Sequence, residues 1–145
     1  MEISISTTDI IESNEVVKIY TANNWSAANK PDQLLNALRN SDTLVTARAS
    51  GKLIGIGNAI SDGYLVVYYP HMLVHPEHQR KGIGKKMMEA LKEKYNSFHQ
   101  QMLTADNDAI EFYKAMGFKK AGNTVSMWVY EGNGIKGDGG IKKLN

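Results

Sequence analysis

The chain has 145 residues, a length that favours one domain over two. It contains no cysteine, which excludes disulfide frameworks, thiolate nucleophiles and cysteine-ligated metal sites, and we expect no bound metal. Hydrophobic residues make up 42% and charged residues 22%, as in an ordinary globular protein, and a formal net charge of +2 argues against a dedicated nucleic-acid-binding protein.

The first half of the chain predicts one strand, two helices and then three more strands. Residues 2–6 alternate polar and apolar side chains, as a half-buried strand does. Ser13 suits the cap of a first helix, and Pro31 suits the first turn of a second. Ser50-Gly51 and Asp62-Gly63 are typical of hairpin turns, so the strands around them are predicted to be antiparallel. These strands are residues 43–49, 53–61 and 64–74.

The second half predicts helices that alternate with short strands. Apolar residues recur at helical spacing over 83–95, after a pair of glycines. Residues 101–105 read as a short buried strand, and Asp106 or Asn107 can cap a last helix that ends at Gly117. The last predicted strands are residues 118–119 and 124–130.

This order of elements predicts an α/β fold of the mixed α+β type, in which helices flank a mostly antiparallel central sheet. It does not match a Rossmann fold, whose sheet is parallel. We predict one domain over residues 1–131 and a flexible tail, rich in glycine and lysine, over 132–145. No apolar run approaches the ~20 residues of a membrane helix, and the first residues do not resemble a signal peptide. We therefore expect a cytoplasmic protein without membrane contact.

The segment between Val74 and Lys86 has the features of a phosphate-binding site. A strand ends at Val74, Pro76 interrupts it, and a helix begins near Gly82. The start of a helix offers backbone N–H groups without intrahelical partners and the positive end of the helix dipole. Glycines at 82 and 84 leave these groups accessible, although glycines that allow close packing are an equally good interpretation. Four basic residues lie nearby, Arg80, Lys81, Lys85 and Lys86.

Two motifs, one in this segment and one further along the chain, resemble those of the GCN5-related N-acetyltransferases, the GNAT superfamily. Gln79-x-x-Gly82-x-Gly84 is similar to that family's acetyl-CoA-binding signature. Asp106-Asn107, followed by the run from Phe112 to Phe118, resembles its second cofactor-binding region. The resemblance covers residues 2–130 and implies the GNAT fold. Shorter matches, including Met127-Trp128-x-Tyr130, resemble the plant and cyanobacterial-type arylalkylamine (serotonin) N-acetyltransferases.

The resemblance implies an acyltransferase that moves an acetyl group from acetyl-CoA to a primary amine by direct attack in a ternary complex. It implies that main-chain N–H groups between Arg80 and Lys85 bind the diphosphate of coenzyme A, and that the main chain of Leu73 and Val74 pairs with the pantetheine arm. The predicted cofactor-binding residues are Leu73, Val74, Gln79, Arg80, Lys81, Gly82, Ile83, Gly84, Lys85, Asn107 and Tyr113.

Catalysis requires a proton acceptor, because an alkylamine of pKa about 10 arrives protonated. Tyr68 lies where relatives place a Glu or His base, and His71 has the better intrinsic pKa, near 6.5. In a regular strand these two side chains face opposite sides, so both serve only if a bulge intervenes. We favour His71 over Tyr68, directly or through a water; a structural strand histidine bonded to a neighbour is an equally good interpretation. Tyr113 matches the family tyrosine that approaches the CoA sulfur; core packing is its alternative role.

The acceptor site in this fold lies between the first two helices and the end of the sheet. This implies Trp25, Tyr64 and Trp128 as aromatic walls, which suit an amine with an apolar body. Trp25 could equally pack between helices. We therefore expect a small-molecule amine as partner, with a homodimer as the expected assembly from the family alone. The alternatives are an acyl-CoA-binding module or sensor without strong catalysis, and an acetyltransferase that acts on a protein or peptide amine.

Overall fold

A six-stranded sheet organises the chain, of which the computed structural model describes residues 2–131. The strands are β1 (Ile3–Ser6), β2 (Thr43–Ala49), β3 (Lys52–Ser61), β4 (Val66–Tyr68), β5 (Met72–Val74) and β6 (Gln100–Met102). They run in the order β1-β2-β3-β4-β6, and β5 pairs with β3 alongside β4. Neighbouring strands are antiparallel, and β4 with β6 is the parallel pair. The predicted mixed, mostly antiparallel sheet is confirmed.

Helices cover both faces of this sheet. They are α1 (Ser13–Ala22), α2 (Pro31–Arg39), α3 (Ile83–Lys94) and α4 (Ile110–Ala115), with short 3-10 turns at Ser26–Asn29, Pro76–His78 and Asn107–Ala109. The core under α1 and α2 includes Val16, Ile19, Leu34, Leu38, Ile56 and Leu73. The core under α3 includes Val45, Ala47, Val67, Met87 and Leu91. Within residues 2–131, no helix is both long enough and apolar enough to span a bilayer.

The approach of α3 to the sheet depends on a glycine in β3. A Cβ atom built on Gly55 would lie 2.6 Å from Sδ of Met87 and 3.1 Å from Cβ of Ala47. A larger residue at this position would force the Met87 side chain to move and would crowd Ala47. Because the N-terminus of α3 carries the predicted phosphate site, Gly55 helps to set its position relative to β5.

The last of the three predicted central strands is broken by one extra residue. Tyr68 in β4 pairs with Ile60, whereas Met72 in β5 pairs with Gly57, so this segment advances four residues while β3 advances three. The break contains Pro70, which has no N–H to donate to a ladder and is tolerated at a bulge. The alternation of side chains therefore changes phase between β4 and β5.

The two strands predicted near the C-terminal end of the domain, 118–119 and 124–130, are wrong. Neither segment is paired as a strand. The residues have strand-forming side chains, but β propensity yields a strand only where a neighbouring strand accepts and donates hydrogen bonds. Met127 is 90% exposed, so this segment contributes little to the core. The tail predicted over 132–145 lies outside the described residues.

The start of α1 is fixed by a network of charged residues. Ser13 is the first helical residue and not its cap; the cap is Glu12, whose N–H donates to the Glu15 carboxylate at 2.9 Å. Arg48 from β2 donates both to Glu15 at 2.9 Å and to Asp9 at 2.7 Å. The guanidinium therefore ties α1 and the loop before it to the sheet.

This network predicts acid sensitivity. Burial opposes ionisation of Asp9, but hydrogen bonds from Thr46 and Arg48 outweigh it and lower the pKa of that carboxyl; the hydrogen bond from Arg48 also lowers the pKa of Glu15. Both carboxylates therefore stabilise the fold above their ordinary pKa, near pH 4, and lose this effect as the pH falls through their folded pKa values. We expect Arg48→Met to cost about 2 kcal/mol at pH 7.

Urea denaturation at pH 7 and pH 3 checks this expectation. The wild-type chain should lose more stability on acidification than Arg48→Met, in which the network is already broken. The matched control is Arg39→Met, because Arg39 is exposed and donates to the main-chain oxygen of Ile11, not to a carboxylate. An equal loss on acidification in wild type and Arg48→Met would contradict the assigned role.

Candidate active site

The N-terminus of α3 presents main-chain N–H groups that no side chain within residues 2–131 caps. The residue before the helix is Gly82, with φ of 80° in the left-handed region and no side-chain hydrogen bond to the first turn. That turn contains no acidic residue, and three cations in or next to it are exposed, Arg80, Lys81 and Lys85. Within residues 2–131, none of these three cations forms an ion pair. The site can therefore bind an anion with main-chain donors and nearby positive charge.

The two glycines of this turn differ in backbone conformation and surroundings. Gly82 is required by its backbone conformation, since its φ is positive and a Cβ would meet nothing within 4 Å. Gly84 lies against α4 and β5: a Cβ there would be 3.5 Å from Phe112 and 3.7 Å from Val74, which are ordinary contacts. Close packing thus explains neither glycine, and Ile83 between them is buried and anchors the turn in the core.

We expect Gly82→Ala to weaken coenzyme A binding about fivefold, because an L-residue in the left-handed region costs about 1 kcal/mol and shifts the turn that presents the N–H groups. Isothermal titration calorimetry with coenzyme A measures the change. The matched control is Gly51→Ala, since Gly51 has a φ of 84° and equally open surroundings in the β2–β3 turn. Equal affinities for the two variants would exclude the α3 turn as the anion site.

The end of β5 turns one main-chain edge away from β3. His71 O accepts from Asn58 and His75 N–H donates to Ile54, so alternation directs the N–H and C=O of Leu73 toward β3 and those of Val74 away from it. Leu73 is therefore no longer a candidate main-chain donor, which corrects that part of the sequence prediction; its side chain is buried.

Gln79 connects β5 with residues 80–85 at the start of α3, called the anion turn from here on. Its side-chain amide donates to the Val74 carbonyl at 2.9 Å and to Asn23, at the end of α1, at 3.3 Å. The sequence left the role of this side chain open. In the structure it connects the edge of β5 with α1 and holds the first residue of the glycine motif in place. The Val74 N–H points away from β3, to the same side as the Val74 carbonyl.

The predicted base His71 lies in an aromatic cluster with two residues from the α1 side. Tyr20 Oη is 2.6 Å from His71 Nδ1, and the Trp25 ring lies edge-on to the imidazole with centroids 4.9 Å apart. Burial lowers the pKa of His71 to about 4, so the ring is neutral at physiological pH. The structure thus brings together a predicted base and a predicted acceptor-site wall, His71 and Trp25.

The bulge at Pro70 places Tyr68 and His71 on the same face of the sheet. Tyr68 pairs with Ile60, and His71 exchanges hydrogen bonds with Asn58, two residues away along β3. The bulge therefore allows both side chains to face the same site, as two candidate proton acceptors must. Tyr68 is 40% exposed, whereas His71 is half-buried and already oriented by a neighbour. This contrast favours His71 as the proton acceptor.

Tyr113 lies on α4, beside β6. Its ring packs edge-on against Phe112 and Phe118, and it lines a cavity of about 580 Å³ with Met102 and Ala105. Burial raises its pKa to about 12, so the hydroxyl remains a hydrogen-bond donor. Both predicted roles, packing and contact with a ligand, are compatible with this position.

Asn107 is free to bind a ligand. The cap of the last helical segment is Asp106, whose carboxylate accepts from the Asn107 N–H at 2.8 Å. Within the part of the chain that the structure describes, the Asn107 side-chain amide makes no hydrogen bond. This removes helix capping as the competing explanation for Asn107.

The remaining predicted acceptor-site residues lie apart from His71. Trp128 stacks on Tyr130 with centroids 4.4 Å apart, and the Tyr130 hydroxyl is 2.8 Å from that of Ser26, beside Trp25. Tyr64 is 89% exposed in the β3–β4 turn. Among residues 2–131 it makes no ring contact with either tryptophan. The structure therefore groups Trp128 with the α1–α2 connection and leaves Tyr64 separate from it.

Sequence reasoning missed two residues of this site. Tyr20 reads as one more apolar position on α1, and Asn58 as a polar residue in a buried strand. No periodic signal marks either residue, since both are identified by their contacts with His71 across the fold. Residues 2–131 contain no cluster of His, Asp and Glu that could hold a metal ion.

Comparison with known proteins identifies the family of this chain. The family model described as an acetyltransferase (GNAT) domain matches residues 8–135. The uncharacterized N-acetyltransferase ycf52 of Pyropia yezoensis is 30% identical over 90 residues, which are 58% of this chain and 52% of that protein. The match therefore spans about half the length of this curated relative.

Two solved structures share the fold. The GNAT family acetyltransferase SP0256 from Streptococcus pneumoniae TIGR4 superposes with a TM-score of 0.75 and 24% identity, over 89% of this chain and 98% of that one. Protein SA2161 from meticillin-resistant Staphylococcus aureus superposes with a TM-score of 0.79 and 20% identity, over 90% of this chain and 100% of that one. Identities this low show the fold alone. Because the family model matches most of its length, the chain belongs to the GNAT acetyltransferase family.

Proposed function

We propose that the protein transfers an acetyl group from acetyl-CoA to a primary amine, by direct attack of the amine in a ternary complex. The observation that carries this proposal is the N-terminus of α3, which no side chain within residues 2–131 caps, beside the outward-facing Val74 N–H of β5. The residues present fit coenzyme A, since main-chain N–H groups from Gly82 to Lys85 and the cations around them suit a diphosphate. Val74 and Asn107 supply further hydrogen-bonding groups for the arm of the molecule.

Acetyl-CoA, when bound, supplies the acetyl group as a thioester. The Val74 N–H would donate to the thioester oxygen, and a donor aimed at developing negative charge is typically worth about 10²–10³ in rate. His71 would take the proton from the attacking nitrogen. With a pKa of about 4 it is too weak to deprotonate an alkylammonium efficiently, so the ammonium proton goes to solvent and the neutral amine attacks. We assign His71 to the second proton, which becomes acidic as the nitrogen bonds to carbon.

Tyr113 would act on the leaving side of the reaction. A thiol has a pKa near 8.5, well below the value of about 12 for this phenol. Full proton transfer from Tyr113 to a thiolate is therefore unfavourable. We assign the hydroxyl to a hydrogen bond that stabilises the departing sulfur, and a solvent proton completes the step.

The acceptor is proposed to be a small amine with an apolar or aromatic body. Trp25 borders His71, and the stacked Trp128 and Tyr130 lie beside the same α1–α2 connection. Aromatic faces bury apolar groups and attract the ammonium form of an amine. The motif likeness to arylalkylamine N-acetyltransferases supports tryptamine-type acceptors as the first class to test.

Release of free thiol from acetyl-CoA tests the proposal, with tryptamine, an aminoglycoside, an amino acid and a peptide N-terminus as separate acceptors. We expect the highest kcat/KM with tryptamine. Calorimetry with coenzyme A is run in parallel. Coenzyme A binding without thiol release for any acceptor would favour an acyl-CoA-binding module, and the absence of binding would refute both functions. A higher kcat/KM with the peptide would indicate that the acceptor is a protein or peptide amine.

A further inference from the structure

The two imidazole nitrogens of His71 have different surroundings. The imidazole has two nitrogens, and a neutral ring carries a proton on only one of them. Nδ1 lies 2.6 Å from the hydroxyl of Tyr20, which is fully buried on α1. Within residues 2–131, Nε2 has no hydrogen-bond partner. It is not buried and is accessible at the molecular surface.

Contacts with three residues hold His71 in place. Asn58 holds the main chain, because its Oδ1 accepts from the His71 N–H at 3.1 Å and its own N–H donates to the His71 carbonyl at 3.0 Å. Tyr20 holds the side chain through Nδ1. Trp25 packs edge-on against both the imidazole and the Tyr20 ring, at 4.9 and 5.7 Å. The ring is therefore fixed with Nδ1 toward the core.

We propose that Tyr20 is a positioning residue that sets the tautomer of His71: its hydroxyl oxygen accepts the Nδ1 proton and leaves the Nε2 lone pair open to the acceptor amine. This inference rests on the proposed acetyl transfer. If Tyr20 donated instead, the neutral ring would carry its proton on Nε2 and could not accept another there. Tyr20 touches neither substrate and acts only through His71.

Nitrogen-15 NMR of the histidine rings at pH 7 tests the tautomer without any substrate. The chain has four histidines, and His71→Gln assigns the signal of His71. We expect His71 to be protonated at Nδ1 in the wild-type chain and to lose this preference in Tyr20→Phe. A wild-type ring protonated at Nε2 would overturn the proposal, whatever the activity. If Nδ1 is protonated and no amine releases thiol, the proposed function fails and the tautomer assignment stands.

Kinetics with tryptamine then separates positioning from general stability. We expect Tyr20→Phe to lower kcat about tenfold without changing the KM for acetyl-CoA. It should lower the rate no further in a His71→Gln background, because Tyr20 acts through His71. The matched control is Tyr95→Phe, which removes a buried hydroxyl bonded to Asp42 at 2.6 Å on the other face of the sheet. Additive losses in the double variant, or an equal loss in Tyr95→Phe, would contradict the proposal.

Discussion

Replacing His71 with glutamine should lower kcat for amine acetylation at least about 100-fold, the lower range for loss of a general base. Glutamine can still hydrogen-bond Tyr20 but has no nitrogen that accepts a proton near neutral pH. The KM for acetyl-CoA should stay constant, since the anion turn and the Val74 edge are untouched. Steady-state thiol release measures both constants. His99→Gln is the control, because His99 is exposed and lies outside the site.

The pH dependence gives a second test of His71. Because burial lowers its pKa to about 4, the ring keeps its acceptor form throughout the neutral range, and the rate should show no inflection near 6.5. The unfolded chain binds this proton near pH 6.5 and the folded chain only near 4, so stability should fall between these values as the pH decreases. His71→Gln should reduce that fall. A wild-type inflection at 6.5 that vanishes in His71→Gln would place the imidazole in a more polar setting.

Replacing Tyr113 with phenylalanine should lower turnover at least about tenfold with little change in acetyl-CoA affinity. The ring contacts with Phe112 and Phe118 persist in the variant, so packing of α4 is kept and only the hydroxyl is lost. Thiol release gives kcat, and calorimetry with acetyl-CoA gives the affinity.

A comparison of leaving groups makes this second test more specific. If Tyr113 stabilises the departing sulfur, the variant should be impaired less with a more acidic thiol, which needs less help to leave. The control is Tyr95→Phe, because it likewise removes one buried phenol hydroxyl and lies outside the proposed site. Unchanged turnover in Tyr113→Phe would remove this residue from the mechanism and leave core packing as its role.

Local patterns along the chain determined most of the architecture. Helical periodicity over 83–95 and the glycine at 82 predicted α3 and its start, because helix formation depends on neighbours three and four residues apart. Hairpin turns predicted the antiparallel pairing of β2 with β3 in the same way. The anion turn and the cations beside it could also be predicted from the sequence, because the main-chain donors of the turn come from one continuous segment.

Only the tertiary structure decided features that depend on distant partners. Residues 124–130 have strand-forming side chains, but no neighbouring strand pairs with them, and a strand exists only through such pairing. The bulge at Pro70 put His71 and Tyr68 on one face, which no count along a regular strand could predict. The partner of His71 is Tyr20, 51 positions earlier, because packing α1 onto the sheet buries a phenol against an imidazole. Sequence thus determined the segments and their local chemistry, and long-range packing determined which side chains meet.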